Sequence, residues 1–326
     1  MNKECCFEFT WADVRERVRG IVAEVGVHDA PERFRGLGVE VHEGTEGRFV
    51  SPHEFETASG RSRARKFVLA TGSRPGVPPI PGLAEAGFLT NEDIPALAEQ
   101  PRRLAIIGGG PIGLEFASLF AALGSEVTVI EALPRLLTFA VESVARRVEE
   151  DLRADGIGFR TGVKVLRVEK SGDARRVILE KDGAEETIEA DAILVAAGRP
   201  PNIDGRGLDE IGVETSRGGV VTDPHLRTTL PHIFAAGDVT GLGAFTHMAE
   251  HQAGVVAWNL IAPVMRKKVE TVNIPWCVYL DPEVAHCGLT GPAAEERYGS
   301  KLKKYVYDLA NFDRAMIESR ARGVIE

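Results

Sequence analysis

The chain is short of cysteine, of clustered positive charge and of long apolar runs, and each shortage removes a class of protein. Four cysteines in 326 residues do not make a disulfide framework, so a reducing, cytoplasmic setting is expected. No stretch approaches the roughly 20 consecutive apolar residues that span a bilayer. Met1–Thr10, with Lys3 and Glu4 ahead of Cys5-Cys6, has no signal-peptide hydrophobic region. No Lys/Arg block dominates a segment and the formal net charge is −9, which argues against a nucleic-acid or anionic-membrane surface. Metal ligands are missing too. Vicinal Cys5-Cys6 is an incomplete soft-metal site, and Cys277 and Cys287 have no His or Cys at zinc spacing. Those two are expected to be buried small hydrophobes.

What remains is an ordinary globular composition: 44% hydrophobic and 27% charged residues exclude a disordered chain, and the length suggests about two domains. Apolar positions Trp11, Val14, Val18, Ile21, Val22 and Val25 recur at three and four, predicting an amphipathic helix over 11–27. A short helix is expected to end at Gly38, followed by extended pieces at 39–42, 48–50 and 53–57. Lys66–Gly72 reads as an apolar strand running into a glycine turn, and Pro75, Pro78, Pro79 and Pro81 form a stiff linker. From Arg102 the pattern becomes strand (104–107), glycine turn, helix (112–123), strand (126–130) and charged helix (141–155). Three alternating stretches, 163–169, 175–181 and 185–190, predict an antiparallel meander, and 191–197 a last buried strand. Leu69–Pro75 and Val195–Pro201 look alike, about 125 positions apart, which suggests two related nucleotide domains. A third strand, from Ile233 to Asp238, precedes a helix expected from about Met248 to Ile261. Residues 271–326 read as the start of a separate α+β domain.

The sharpest motif runs from Gly108 to Glu115. Gly108, Gly110 and Gly113, around Gly109, Pro111 and Ile112, satisfy G-x-G-x-x-G between a strand and a helix. The first glycine serves a tight turn, the second close approach of backbone to a pyrophosphate, and the third the packing of helix on strand. The helix N-terminus offers unpaired N–H groups to phosphate. The next strand ends in Glu131, eighteen residues after Gly113, where a carboxylate can accept both ribose hydroxyls of NAD and would repel a 2′-phosphate. NAD(H) is favoured over NADP(H), with nearby Arg135 as the counter-argument. Asp238, at the carboxyl end of an apolar strand, is placed to accept hydrogen bonds from a polyol; a helix-capping Asp is the alternative.

Taken in order, these motifs resemble the class I pyridine nucleotide–disulfide oxidoreductases, and within them mercuric-reductase-like sequences. Ala70-Thr71-Gly72-Ser73-Arg74-Pro75, Gly108–Glu115, Gly198-Arg199-Pro200-Pro201-Asn202, Phe234–Asp238, Thr246–His251 and Pro275–Thr290 carry the likeness. The resemblance implies an α/β fold. It comprises two Rossmann-like three-layer domains, one for FAD and one for NAD, plus the start of an α+β dimerisation domain. The implied division is 1–100 (part of the FAD domain), 101–200 (NAD(P) domain), 201–263 (return to the FAD domain) and 264–326 (part of the dimerisation domain). For NAD it implies roles for Gly108, Gly109, Gly110, Pro111, Ile112, Gly113, Leu114, Glu115, Glu131, Val165 beside the adenine and Gly198 beside the nicotinamide. Glu115 would face the flavin–nicotinamide junction. For FAD it implies Gly47 at the adenine side, Thr71, Gly72 and Ser73 at the crossing between domains, and Asp238 on the ribityl chain. Ala244, Phe245, Thr246 and His247 would approach the flavin ring.

The activity implied is hydride transfer from NAD(P)H to flavin, then to a disulfide or metal-ion acceptor, in a homodimer. The family's first glycine fingerprint, its C-x-x-x-x-C and its closing His-Pro-Thr motif do not occur. The expectation is therefore a fragment with no retained catalytic base, His247 and His251 being structural or solvent-facing. A dihydrolipoyl dehydrogenase and an inactive nucleotide-binding remnant remain open as alternatives.

Overall fold

A computed structural model describes residues 10–318 and 321–326; Cys5 and Cys6 lie outside the described residues. In chain order the elements begin with α1 (Trp11–Gly26), α2 (Pro31–Gly36), β1 (Gly47–Ser51), β2 (Glu54–Thr57), β3 (Gly60–Arg63) and β4 (Phe67–Leu69). Next come α3 (Leu83–Ala86), β5 (Arg103–Ile107), α4 (Pro111–Ala122), β6 (Glu126–Glu131), α5 (Glu142–Ala154) and β7 (Gly158–Thr161). They continue with β8 (Lys164–Ser171), β9 (Ala174–Lys181), β10 (Ala184–Ala190), β11 (Ala192–Val195), β12 (Thr215–Ser216) and β13 (Gly219–Val220). The last used here are β14 (Ile233–Ala235), α6 (Thr246–Ile261), β15 (Trp276–Val278), β16 (Val284–His286) and α7 (Gly291–Tyr298). Among the described residues no helix is long and apolar enough to cross a membrane.

The chain divides into two compact units. One takes the chain up to Ile21, Pro75–Gly198 and Pro275–Glu326; the other takes Val22–Arg74 and Arg199–Ile274. The Pro75–Pro101 stretch thus belongs with the glycine fingerprint, because Ile80, Leu83, Ala86 and Phe88 pack into the same apolar cluster as Ile107 and Ile130.

The first unit is built on a parallel sheet in the order β11-β5-β6-β7. Both faces are buried, which explains the unbroken apolar runs of its strands. Leu104 and Ile106 of β5, Val127 and Val129 of β6 and Leu194 of β11 pack with Leu114, Ala117, Phe120, Val148 and Leu152 from α4 and α5. Their neighbours Ala105, Ile107, Ile130, Ile193 and Val195 face Val168, Val177 and Leu179 of the antiparallel meander β8-β9-β10. Helices, sheet and meander make three layers. Small residues on α4 (Gly113 and Ala117) let it approach the strands closely, and α5 ends at Gly156, whose φ is +90°.

The second unit contains the parallel pair β14–β4 and the meander β1-β2-β3. Its core gathers Phe49, Leu69, Val213, Ile233, Ala235 and Val239. A smaller cluster joins Phe234 to Val255 and Val256 of α6.

Several local expectations need correction. Residues 39–42 form no strand. The short β7 was not expected: only Phe159 of Gly158–Thr161 is strongly apolar, and pairing with β6 supplies what the pattern lacks. The apolar stripe of α1 buries no residue completely, and Ile21, Val22 and Val25 stay exposed. Cys277 is half-buried and Cys287 exposed, because both lie on or beside the small β15–β16 hairpin rather than in a core.

Candidate functional site

In the first unit the chain leaves β5 at Ile107, turns at Gly108–Gly110 and enters α4 at Pro111. The sheet order reverses here: β6 and β7 extend to one side of β5, and β11 returns on the other. The glycine turn therefore sits at the topological switch point, where open α/β sheets leave a crevice beyond their carboxyl ends.

Each glycine has its own steric reason. A Cβ on Gly108 (φ +122°) would lie 2.2 Å from Ala196 O, and one on Gly113 would lie 2.0 Å from Gly108 O. Those two are demanded by the protein itself. Gly109 is buried, and its Cβ would meet Leu136 Cδ2 at 2.6 Å. Gly110 differs: among the described residues nothing lies within 4 Å of a Cβ built there. No side chain or distant backbone among them demands glycine at 110, and the open space beside it is what a phosphate group would fill. Among the described residues no side chain caps α4, and Pro111 occupies its first turn. The initial N–H groups of Ile112 and Gly113 have no intrahelical acceptor, which suits an anion. These residues fit a dinucleotide.

Glu131, at the end of β6, turns back onto this turn. Its Oε2 accepts from Gly109 N at 2.7 Å and its Oε1 from Leu133 N at 2.8 Å. Each oxygen keeps a lone pair for a further donor such as a ribose hydroxyl. Arg135 spends its guanidinium on its own loop, donating to Leu137 O at 3.0 Å and Thr138 O at 2.6 Å. Val165 is half-buried against the cluster that holds Ile107 and Ile130, the ends of β5 and β6. Gly198 follows β11 with φ +109° and an exposed backbone, its carbonyl accepting from Gly76 N at 2.8 Å.

Leu114 is wholly buried and serves the core. Glu115 is half-buried, and its Oε1 accepts from Tyr279 N at 2.9 Å. Sequence reading could not foresee this bond, since its donor is a backbone group 164 residues away. Nearby, burial together with the carboxylates of Glu283 and Glu115 pushes the Cys277 thiol up. It is therefore held as a thiol rather than a nucleophilic thiolate.

In the second unit, Asp238 follows β14 and the Gly237 turn. Its Oδ2 accepts from Ser73 Oγ at 2.6 Å, and Arg199 Nε donates to that same hydroxyl at 2.9 Å. Residues 71–74, within the first look-alike segment, pair with 200–202 at the end of the second and just beyond it. Thr71 Oγ1 donates to Asn202 O at 2.8 Å, Asn202 Nδ2 donates to Thr71 O at 2.9 Å, and Asn202 N donates to Gly72 O at 2.9 Å. Gly72 takes φ +65° with open space around a built Cβ. The structure thus brings Thr71, Gly72, Ser73 and Asp238 together and adds Arg199 and Asn202. Asp238 presents a carboxylate braced on one oxygen only, among the described residues, and so fits a polyol.

Gly47, opening β1, has an internal reason as well, since a Cβ there would sit 2.2 Å from the Phe55 ring. Ala244, Thr246 and His247 are exposed at the start of α6, and Phe245 stacks on His247 with ring centroids 5.5 Å apart. His251 is exposed, its Nε2 accepting from Glu270 N at 3.1 Å.

Comparison with known proteins agrees with this geometry. Residues 17–253 match the family model described as pyridine nucleotide-disulphide oxidoreductase. The chain is 32% identical over 314 residues to a mercuric reductase of Staphylococcus aureus, covering 96% of this chain and 57% of that protein. It is 32% identical over 320 residues to a dihydrolipoyl dehydrogenase of Bacillus subtilis (strain 168), covering 97% and 68%. Against further mercuric reductases from Bacillus cereus and Lysinibacillus sphaericus it covers 46% and 51% of their lengths, so it spans about half of such relatives. Among solved structures, the HOCl-induced flavoprotein disulfide reductase RclA from Escherichia coli matches with a TM-score of 0.77 at 29% identity, over 86% of this chain and 64% of that one. With a family model covering well over half of its residues, the chain belongs to the pyridine nucleotide-disulphide oxidoreductases.

Proposed function

We propose that this chain is the nucleotide-handling part of an FAD-dependent NAD(P)H oxidoreductase of the mercuric-reductase-like type. It would bind NAD(H) at Gly108–Glu115 and cradle part of FAD at Asp238 and Ser73. When bound, the two cofactors supply the chemistry, hydride donation by the nicotinamide and its acceptance by flavin; the protein supplies position and charge. The α4 N-terminus would hold the diphosphate, Glu131 the adenosine ribose, Val165 the adenine flank and Gly198 the nicotinamide side. Asp238, steadied by Ser73 and Arg199, would accept hydrogen bonds from the ribityl hydroxyls. Gly47, Thr71, Gly72 and Ala244–His247 would complete the flavin contacts. The acceptor, a disulfide or a metal ion, and pairing into a homodimer belong to the same proposal.

The observation that carries this reading is Gly110, a glycine at the start of α4 that no neighbour among the described residues explains. NAD over NADP is supported by the carboxylate of Glu131 on the turn. Support also comes from the engagement of Arg135 with its own loop carbonyls, which leaves that guanidinium unprepared for a 2′-phosphate. Calorimetric titration with NADH and NADPH tests it. NADH should bind saturably and more tightly than NADPH, and Glu131→Ala should weaken NADH by about tenfold or more. No saturable binding in folded protein, or indifference to the loss of Glu131, would end the proposal.

A further inference from the structure

Gln252, on α6, is fully buried and takes no direct part in the contacts proposed above. Its Oε1 accepts from Gly237 N at 2.9 Å and lies 3.0 Å from Thr240 Oγ1, while that hydroxyl also reaches Gly237 O at 2.8 Å. The amide orientation is fixed by Gly237: turned over, Nε2 would face an N–H donor. In this orientation Nε2 is buried with no hydrogen-bond partner among the described residues. A buried donor left unpaired is unfavourable, so packing alone does not account for a glutamine here. Its carbonyl end is what the turn uses.

That turn is the one that delivers Asp238. Gly237 has φ +80° and ψ −158°, a region open in practice to glycine alone, and a built Cβ would stand 3.4 Å from Ala249 Cβ. A backbone in such a conformation persists only when its surroundings hold it there. On one side the Asp238 carboxylate is braced by Ser73 Oγ at 2.6 Å. On the other, α6 holds the Gly237–Thr240 backbone through the single oxygen of Gln252.

We infer that Gln252 is a positioning residue: it clamps the Gly237–Thr240 turn so that the Asp238 carboxylate is set for a polyol before one arrives. Pre-set acceptors lose less conformational freedom on binding, so releasing the clamp weakens the ligand without touching it. The inference rests on the reading that Asp238 takes the ribityl chain of FAD.

The test titrates the full chain with FAD by flavin fluorescence, follows Gly237 amide exchange, and uses NADH affinity as a control. Gln252→Met keeps length and removes the acceptor. It should weaken FAD by about tenfold, speed exchange at Gly237, and leave NADH affinity unchanged. Gln252→Glu keeps an accepting oxygen while burying a carboxyl, which costs stability, and in folded protein it should bind FAD more tightly than Gln252→Met. If Gln252→Met does not fold, Gln252→Asn asks the same question with a side chain too short to reach Gly237 N. Full FAD affinity in these acceptor-deficient variants, while Asp238→Asn loses it, overturns the clamp alone. Equal losses in the Met and Glu variants also overturn it. A wild-type chain that takes up no FAD, or an Asp238→Asn variant that binds FAD normally, removes the flavin reading and the inference with it.

Discussion

At the scale of single residues, the fingerprint glycines separate into those the fold needs and one it does not. Gly108 sits at φ +122° with Ala196 O in the path of a side chain, so Gly108→Ala should destabilise the first unit by about 2–4 kcal/mol. Gly110 has φ −84°, which any residue adopts, and open space beside it. Gly110→Ala should therefore leave the melting temperature within about 2 °C of wild type. It should nevertheless weaken NADH by about tenfold or more, because the methyl occupies volume reserved for phosphate. Melting curves with and without NADH check both variants. A Gly110→Ala protein that melts early, or that binds NADH undiminished, contradicts the assignment. The sequence motif already gives the three glycines different roles; the structure adds the steric reasons, backbone oxygens in the way of a side chain at Gly108 and Gly113 and open space at Gly110.

At the scale of elements, what was legible followed local rules. The β5–turn–α4–β6 run, the meander and α5 could be read because their apolar periods are set by their own residues. Features that depended on partners distant in sequence could not, the Glu115–Tyr279 bond among them. The pairing of 71–74 with 200–202 hides behind a likeness that suggested only duplication. Gln252 reads as a polar residue on a helix until Gly237 is seen beneath it. The same distinction governs α1, whose period was visible but whose docking is slight. Trp11 stacks on Phe120 at 5.4 Å between centroids and donates Nε1 to Leu97 O at 2.9 Å. Trp11→Ala should remove about 2 kcal/mol of local stability and expose α1 to limited proteolysis; unchanged cleavage there would refute this.

The start of β5 is tied to β11 by charge. Asp191 accepts from Arg103 N at 2.9 Å and Nη2 at 2.7 Å. The hydrogen bond from the Arg103 guanidinium holds its carboxyl below the ordinary value of 3.8. A lowered folded-state value means the stabilisation is complete above the unfolded value and is lost as pH falls through the folded one. The pair is about one-third exposed, so solvent screening keeps its contribution small. Wild type should exceed Asp191→Asn in urea resistance at pH 7, and the gap should close below 3.8. A gap that persisted at lower pH would assign the effect to packing.

At the scale of the whole molecule, the chain passes between its two units after Ile21, Arg74, Gly198 and Ile274. Each unit holds one half of the proposed chemistry: the α4 turn and Glu131 in the first, Asp238 and Ser73 in the second. Two such units can unfold in separate transitions, and the melting temperature compared for Gly110→Ala is then that of the unit holding the glycine turn. Ligands resolve the matter, because a ligand stabilises the unit that binds it by an amount set by mass action. At about 100 times its dissociation constant, NADH should add about 2.7 kcal/mol to the unit containing Gly108–Glu115. Exchange of the β5, β6 and β11 amides should slow accordingly, while β4 and β14 respond to FAD instead. If NADH slowed both sets equally, the units would unfold as one cooperative body. If it slowed β4 and β14 alone, the nicotinamide nucleotide would belong to Asp238, and the roles proposed for the two half-sites would be reversed.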